Sequence, residues 1–223
     1  MDDLLPLNID VVSDVVCPWC FVGKRRLEAA VAAVPEIAVE VRWRPFQLDP
    51  SIPPEGVDRS TYFREKFGDP ARVEAIHDRL RELGRDVGIA FDFAAIERTP
   101  NTLDAHRLIR WATVEGVQDA VVERLFRLYF EEGGDLGSHA VLARAAADAG
   151  MNGAVAERLL AGDADRDEVA KEIDTARRVG VTGVPCMILD GRYAVMGAQE
   201  AAVIANAIRR VADERAGGTA PAA

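Results

Sequence analysis

The sequence predicts an α/β fold in which a strand–helix–strand unit and a strand–strand–helix unit flank a long helical block. Three observations carry this expectation. A β-branched run at Leu7–Val12 gives way to helical apolar spacing from Pro18, and an alternating segment follows at residues 38–46. Strand character then returns only at Val184, after a stretch dominated by three- and four-residue spacing.

Taken in order, Leu-Asn-Ile-Asp-Val-Val (residues 7–12) has the composition of a central strand, and Ser13 and Asp14 break it. From Pro18, a good first-turn residue, Phe21, Val22, Leu27, Ala30, Val31 and Val34 mark one helix face, and Pro35 closes the helix. In Ala38–Phe46, Val39, Val41 and Trp43 alternate with Glu40, Arg42 and Arg44. Strand, helix and strand in so short a span imply a right-handed crossover and a parallel pair. Asp49–Gly56 is a proline-rich connection. Helices are then expected along Val73–Val87, Asn101–Glu115, Gln118–Glu131, Ser138–Ala149 (with Ser138 as N-cap), Ala154–Ala161 and Arg166–Val179. Val184–Leu189 and Tyr193–Met196 read as a hairpin around Asp190-Gly191. Gly197-Ala198-Gln199 opens a last helix, with Ala202, Val203, Ala205, Ile208 and Val211 expected on its buried face. The small residues from Ala216 to Ala223 predict a disordered tail.

Composition narrows the function. Of 223 residues, 49% are hydrophobic and 29% charged, as in a folded globular chain. The 27 basic and 37 acidic residues leave a net charge of −10. Such a chain lacks the surplus of cations needed for non-specific binding to nucleic acid or to an anionic membrane. No apolar run is long enough to span a bilayer. The start, Met1-Asp2-Asp3-Leu4-Leu5-Pro6, carries acids where a secretory signal needs bases, so a cytoplasmic location is expected. Three cysteines are too few for a disulfide framework, and in a reducing compartment a pair would rest as a dithiol.

The chemistry centres on Cys17-Pro18-Trp19-Cys20, at the junction of the first strand and helix. Two thiols at this spacing can close a small disulfide ring. The first sits at the positive end of a helix, which stabilises its thiolate, and the second can resolve a mixed disulfide formed by the first. The same spacing serves as half of a zinc site, but structural zinc wants four ligands. Cys186 and the scattered His77, His106 and His139 do not supply the rest, so no metal is expected. A pair of unrelated buried cysteines is the other alternative. A second informative segment is Thr182-Gly183-Val184-Pro185. Proline at the start of a buried strand suggests a cis peptide bond or an unpaired edge, against the bland reading of a trans proline in a loop.

Asp14–Lys24, Asn101–Leu108, Gly183-Val184-Pro185 and Gly197-Ala198-Gln199 together resemble the DsbA family, and within it the FrnE-like branch of cytoplasmic dithiol–disulfide isomerases. The resemblance runs from about Asn8 to Arg210. It implies a thioredoxin-like fold (βαβ … ββα) with a large all-helical insertion. Residues 1–50 and 165–215 would form the discontinuous thioredoxin-like domain, and residues 51–164 the inserted helical subdomain. It implies a thiol–disulfide oxidoreductase or isomerase with Cys17 as nucleophile, Cys20 as resolving thiol and Pro185 as the cis-proline. Trp19 and Val184 would border the substrate groove. No cofactor is expected, with glutathione as a candidate reductant or ligand, and the partner would be a disulfide-containing protein or small molecule. The related 2-hydroxychromene-2-carboxylate isomerases and kappa-class glutathione transferases share this architecture but typically carry serine in place of Cys17. Cys20 argues against them, and a glutathione-dependent isomerase or transferase is kept as the alternative.

Four side readings accompany this one. Cys186 follows the proline where the family more often has an aromatic residue or threonine, and is either a third redox thiol or a small buried hydrophobe. Asp14 is expected to cap the first helix, with a hydrogen bond to the motif loop as the alternative. The histidines read as structural or surface residues without acid partners. Glu131–Asp135 reads as a solvated acidic loop.

Overall fold

A computed structural model describes residues 5–217. Its main sheet has the order β2-β1-β5-β6 and is built from β1 (Leu7–Ser13), β2 (Val39–Pro45), β5 (Cys186–Leu189) and β6 (Tyr193–Met196). β1 pairs with β2 in parallel, so that Ile9 faces Val41 and Val11 faces Trp43. On its other edge β1 runs antiparallel to β5, with Ile9 opposite Leu189 and Val12 opposite Cys186. α1 (Pro18–Ala32) supplies the crossover between the parallel strands. The last helix, α9 (Ala201–Gly217), packs beside α1.

Alternation in β1 explains the two apolar layers. Leu7, Ile9 and Val11 join the principal core with Phe21, Val22 and Leu27 of α1 and Ile204, Ile208 and Val211 of α9. Val12 points the other way, into a small cluster with Phe46, Ala176, Val181 and Cys186. The buried stripe of α9 is Ile204, Ala205, Ile208 and Val211, whereas Ala202 and Val203 are exposed, contrary to the expectation. The three-four rhythm through Ile204 sets the helix phase and turns those two outward.

Between β2 and β5 lie α2 (Arg59–Phe67), α3 (Pro70–Val87), α4 (Leu103–Val114), α5 (Gln118–Phe130), α6 (His139–Asp148), α7 (Gly153–Leu160) and α8 (Arg166–Arg178). Ser138 caps α6 as expected, accepting a hydrogen bond from the Val141 N–H. Two features were not anticipated. A two-stranded ribbon pairs β3 (Val57–Asp58) with β4 (Arg98–Thr99), too short to leave an alternating pattern in sequence. β5 begins at Cys186 rather than Val184, since Pro185 has no N–H to give a ladder. α9 also continues through Gly217, two residues into the expected tail; residues 218–223 and the acidic start at 1–4 lie outside the described residues. Among the described residues no helix is long and apolar enough to cross a membrane.

Charged groups tie the helical block to the frame and its helices to one another. Lys24 of α1 is buried at 2% exposure and faces Glu28, Asp119 (3.1 Å) and Glu123 (3.3 Å). Burial pulls this ammonium down, but the three carboxylates more than offset it and hold its pKa above the usual lysine value. Arg107 of α4 has no exposed surface and fans its guanidinium over the α7–α8 connection. It donates to the carbonyls of Leu159 (2.7 Å), Gly162 (2.6 Å) and Ala164 (2.7 Å), and to Asp104 (2.8 Å). Asp104 also receives His139 at 2.8 Å. Glu131–Asp135 is not a free loop. Glu131 and Glu132 pair with Arg127 and Arg124, Leu136 is fully buried, and a Cβ on Gly133 would lie 2.2 Å from the Ala95 carbonyl oxygen.

Arg107→Met removes the guanidinium donors from those carbonyls. The expected loss is about 3–5 kcal/mol, read as a lower midpoint in urea denaturation. Arg107→Lys is expected to recover little, because one ammonium cannot span a fan fitted to a planar guanidinium.

Candidate active site

The site forms where β1 ends, α1 begins and the chain turns into β5. Cys17 is the N-cap of α1, in extended conformation, and its carbonyl accepts the Cys20 N–H at 3.0 Å. Pro18 occupies the first turn, where its missing N–H costs nothing. The Cys17 sulfur therefore lies at the positive end of a fifteen-residue helix. Both motif cysteines are free thiols, Cys17 at 4% exposure and Cys20 at 0%. Burial, with the neighbouring Cys17 thiol, pushes the Cys20 thiol well above its ordinary pKa.

The Val184–Pro185 peptide bond is cis. It brings the Val184 carbonyl to 3.7 Å from the Cys17 sulfur, within reach of a thiol hydrogen bond. Pro185 is fixed from two sides. Its carbonyl accepts the Gly197 N–H at 2.8 Å, and Gly197 holds φ +75°, a conformation that favours glycine. Its ring lies over Gly23 of α1, where a Cβ would come within 2.8 Å of the ring Cγ. Arg26 donates to the Ala198 carbonyl at 2.6 Å, so α1 also anchors the turn that carries Gly197. The motifs at Phe21–Lys24, Val184-Pro185 and Gly197-Ala198-Gln199 thus meet in space.

A cavity of about 390 Å³ opens against this constellation. Cys17, Trp19 and Val184 form part of its wall. Cys20 and Pro185 stand behind and are not among its walls. Trp19 is half-buried; it packs against the core and also faces the cavity. The opposite wall comes from the helical block: Tyr62 and Phe63 of α2, Val73 and Ile76 of α3, with Phe93, Tyr129 and Phe130. Sequence reasoning did not single out this wall. Its signal was present in the aromatic spacing Tyr62-Phe63…Phe67 and in the apolar stripe of α3, whose N-terminal half meets the cavity rather than the core.

Several expectations need correction here. Asp14 does not cap α1, and Cys17 holds that position without a side-chain bond. The Asp14 carboxylate instead accepts the Leu48 N–H at 2.8 Å and lies 3.5 Å from His106, while its backbone carbonyl accepts the Cys17 N–H at 3.0 Å. Each histidine has an acid near it: His106 has Asp14, His139 has Asp104, and His77 has Glu74 at 3.4 Å. Partners so distant in sequence as Asp14 and His106 leave no local signature. Cys186 is buried among apolar side chains, and burial raises its thiol pKa. Among the described residues no group of three histidine, cysteine or acidic side chains is placed to hold a metal ion.

The profile of the DSBA-like thioredoxin domain family matches residues 8–209. The structure of a probable DsbA oxidoreductase from Streptomyces coelicolor is 32% identical, with a TM-score of 0.87 over 94% of this chain and 91% of that one. The YwbO protein of Bacillus subtilis (strain 168), itself uncharacterised, is 27% identical over 92% of this chain and 96% of its own. A 2-hydroxychromene-2-carboxylate isomerase structure shares the fold at 16% identity, with a TM-score of 0.72 over 96% of this chain and 100% of that one.

Gly23→Ala forces a methyl group into the Pro185 ring. The expected cost is about 1–3 kcal/mol of stability. It is expected to change the rate at which iodoacetamide alkylates Cys17, because the Val184 carbonyl must move with Pro185. An unchanged denaturation midpoint and alkylation rate would show that the contact constrains nothing.

Proposed function

The chain belongs to the family of DSBA-like thioredoxin domains, and from that premise we propose that it is a cytoplasmic thiol–disulfide oxidoreductase acting through Cys17 and Cys20. One observation carries the reading: Cys17 stands at a helix N-cap on the wall of an open cavity, with a second thiol fully buried one turn further on. The first thiol is placed for attack and the second for resolution.

In the proposed reaction the Cys17 thiolate attacks one sulfur of a substrate disulfide. The substrate S–S bond breaks, one substrate thiolate leaves, and a mixed disulfide joins Cys17 to the other half. Cys20 loses its proton and attacks the Cys17 sulfur, releasing the second substrate thiolate. The substrate gains two electrons and the protein dithiol is oxidised to a disulfide. A low-molecular-weight thiol such as glutathione would then return the pair to the dithiol. In this scheme Val184 and Trp19 border the bound substrate, and Pro185 keeps the strand end from closing over the sulfurs.

A second reading, a glutathione-dependent isomerase or transferase, is favoured by the size of the cavity, which suits a small molecule. Its mark would be tight glutathione binding and an activity that survives Cys20→Ser.

Cys17→Ser is expected to abolish insulin-disulfide reduction, and Cys20→Ser to accumulate mixed disulfides visible by intact-mass measurement. Equal reduction by the wild type and Cys17→Ser would reject the oxidoreductase reading. Because the Cys20 thiol is held above its ordinary pKa, release of product from the mixed disulfide is expected to accelerate as pH rises through the alkaline range. A pH-independent single-turnover release rate would contradict that assignment.

A further inference from the structure

The cavity beside Cys17 contains a cation that the protein leaves unmatched. Of its basic neighbours, Lys66 pairs with Asp49 at 3.0 Å and His77 with Glu74 at 3.4 Å. Arg59, the first residue of α2, has no carboxylate within 4.0 Å among the described residues. Its guanidinium donates to the Tyr129 hydroxyl at 3.2 Å and lies 4.1 Å from the centre of the Phe63 ring. Neither contact neutralises it. Burial pushes the Tyr129 phenol up to about 12 despite the pull of Arg59, so this partner stays uncharged. Burial, then the charge of Arg59, pushes His77 down. The other charged residues lining the cavity, Asp14, Asp49, Lys66 and His77, each have a partner of their own, whereas a half-buried guanidinium with no carboxylate beside it is costly unless something anionic completes it.

Two further facts define the occupant. Val73 and Ile76 carry the apolar stripe of α3 to the cavity, and no residue of α2 is buried although it holds Tyr62, Phe63 and Phe67. These side chains have apolar surface to offer a guest. The volume lies near the low end of the range for small-molecule sites, about 300–1,000 Å³, which suits a compact guest rather than a folded protein surface.

We propose that this cavity binds a low-molecular-weight disulfide with an aromatic or apolar body and a carboxylate, and that Arg59 binds the carboxylate while Cys17 attacks the sulfur. The proposal rests on the oxidoreductase reading and specifies its substrate class. Arg59 acts as a specificity residue: charge and fork geometry suit a carboxylate bidentately, and the aromatic wall suits the body of the ligand.

Two aromatic disulfides test this. Dithiobis(nitrobenzoate) carries carboxylates and dithiodipyridine carries none, and both release a coloured thiol on attack. Stopped-flow traces of the fully reduced chain give a Cys17 phase, identified by its loss in Cys17→Ser. Arg59→Met is expected to slow that phase about tenfold with dithiobis(nitrobenzoate), the size of one charge-assisted hydrogen bond, and to leave it nearly unchanged with dithiodipyridine. Arg59→Lys is expected to recover part of the loss, which a merely structural role for Arg59 would not predict. Equal slowing of both reagents, or of neither, would overturn the assignment of Arg59 while leaving the oxidoreductase reading intact. Failure of wild-type Cys17 to react with either reagent would overturn both.

Discussion

The contact between the Pro185 ring and Gly23 is the constraint on which the site depends. α1 carries the thiols and the turn before β5 carries the carbonyl that faces them, and the two meet only because Gly23 has no side chain. That close approach sets the distance from the Val184 oxygen to the Cys17 sulfur. Around it the structure adds support on both flanks. Gly197 and Arg26 hold the turn on one side, and Lys24 with its three carboxylates fixes the same helix to α5 on the other. Position at the sulfur is therefore a property of tertiary packing, although the motif itself is four residues long.

Much of this was legible in the sequence, and the reasons are physical. Alternation in Val39–Trp43 and β-branching in Leu7–Val12 report burial directly, since a strand exposes its pattern at period two. Helix ends were readable at Ser138 and Pro18, where one residue satisfies or removes an orphan donor. The dithiol was readable because its spacing and its place at a strand–helix junction are both local. What escaped was non-local. The role of Asp14 depends on His106 and Leu48, which are brought beside it only by the fold. The β3–β4 ribbon is two residues on each side, below the length at which any periodicity can be recognised. Apolar spacing on α3 was seen, but spacing alone does not distinguish a face turned to the core from a face turned to a cavity.

The helical block has a double character. Toward the frame it is bound by specific polar contacts such as the Lys24 cluster and the Asp14–His106 pair, while Arg107 ties its own helices together. Toward Cys17 it presents an aromatic and aliphatic wall, of which α2 contributes side chains none of which is buried. The first feature gives rigidity, and the second leaves apolar surface available beside the Cys17 sulfur. A thioredoxin-like frame alone would offer Cys17 to solvent; the block turns the same thiol into one wall of a chamber.

Asp14 gives that arrangement a consequence for how freely its parts can be exchanged. Its backbone oxygen steadies Cys17, one carboxylate oxygen pins the chain after β2, and the imidazole of α4 lies beside the same carboxylate. The insertion is consequently no detachable cassette. Transplanting the bare frame without α4 would strip that acid of its imidazole neighbour a few atoms from the sulfur, so that frame and insertion are constrained to diverge together.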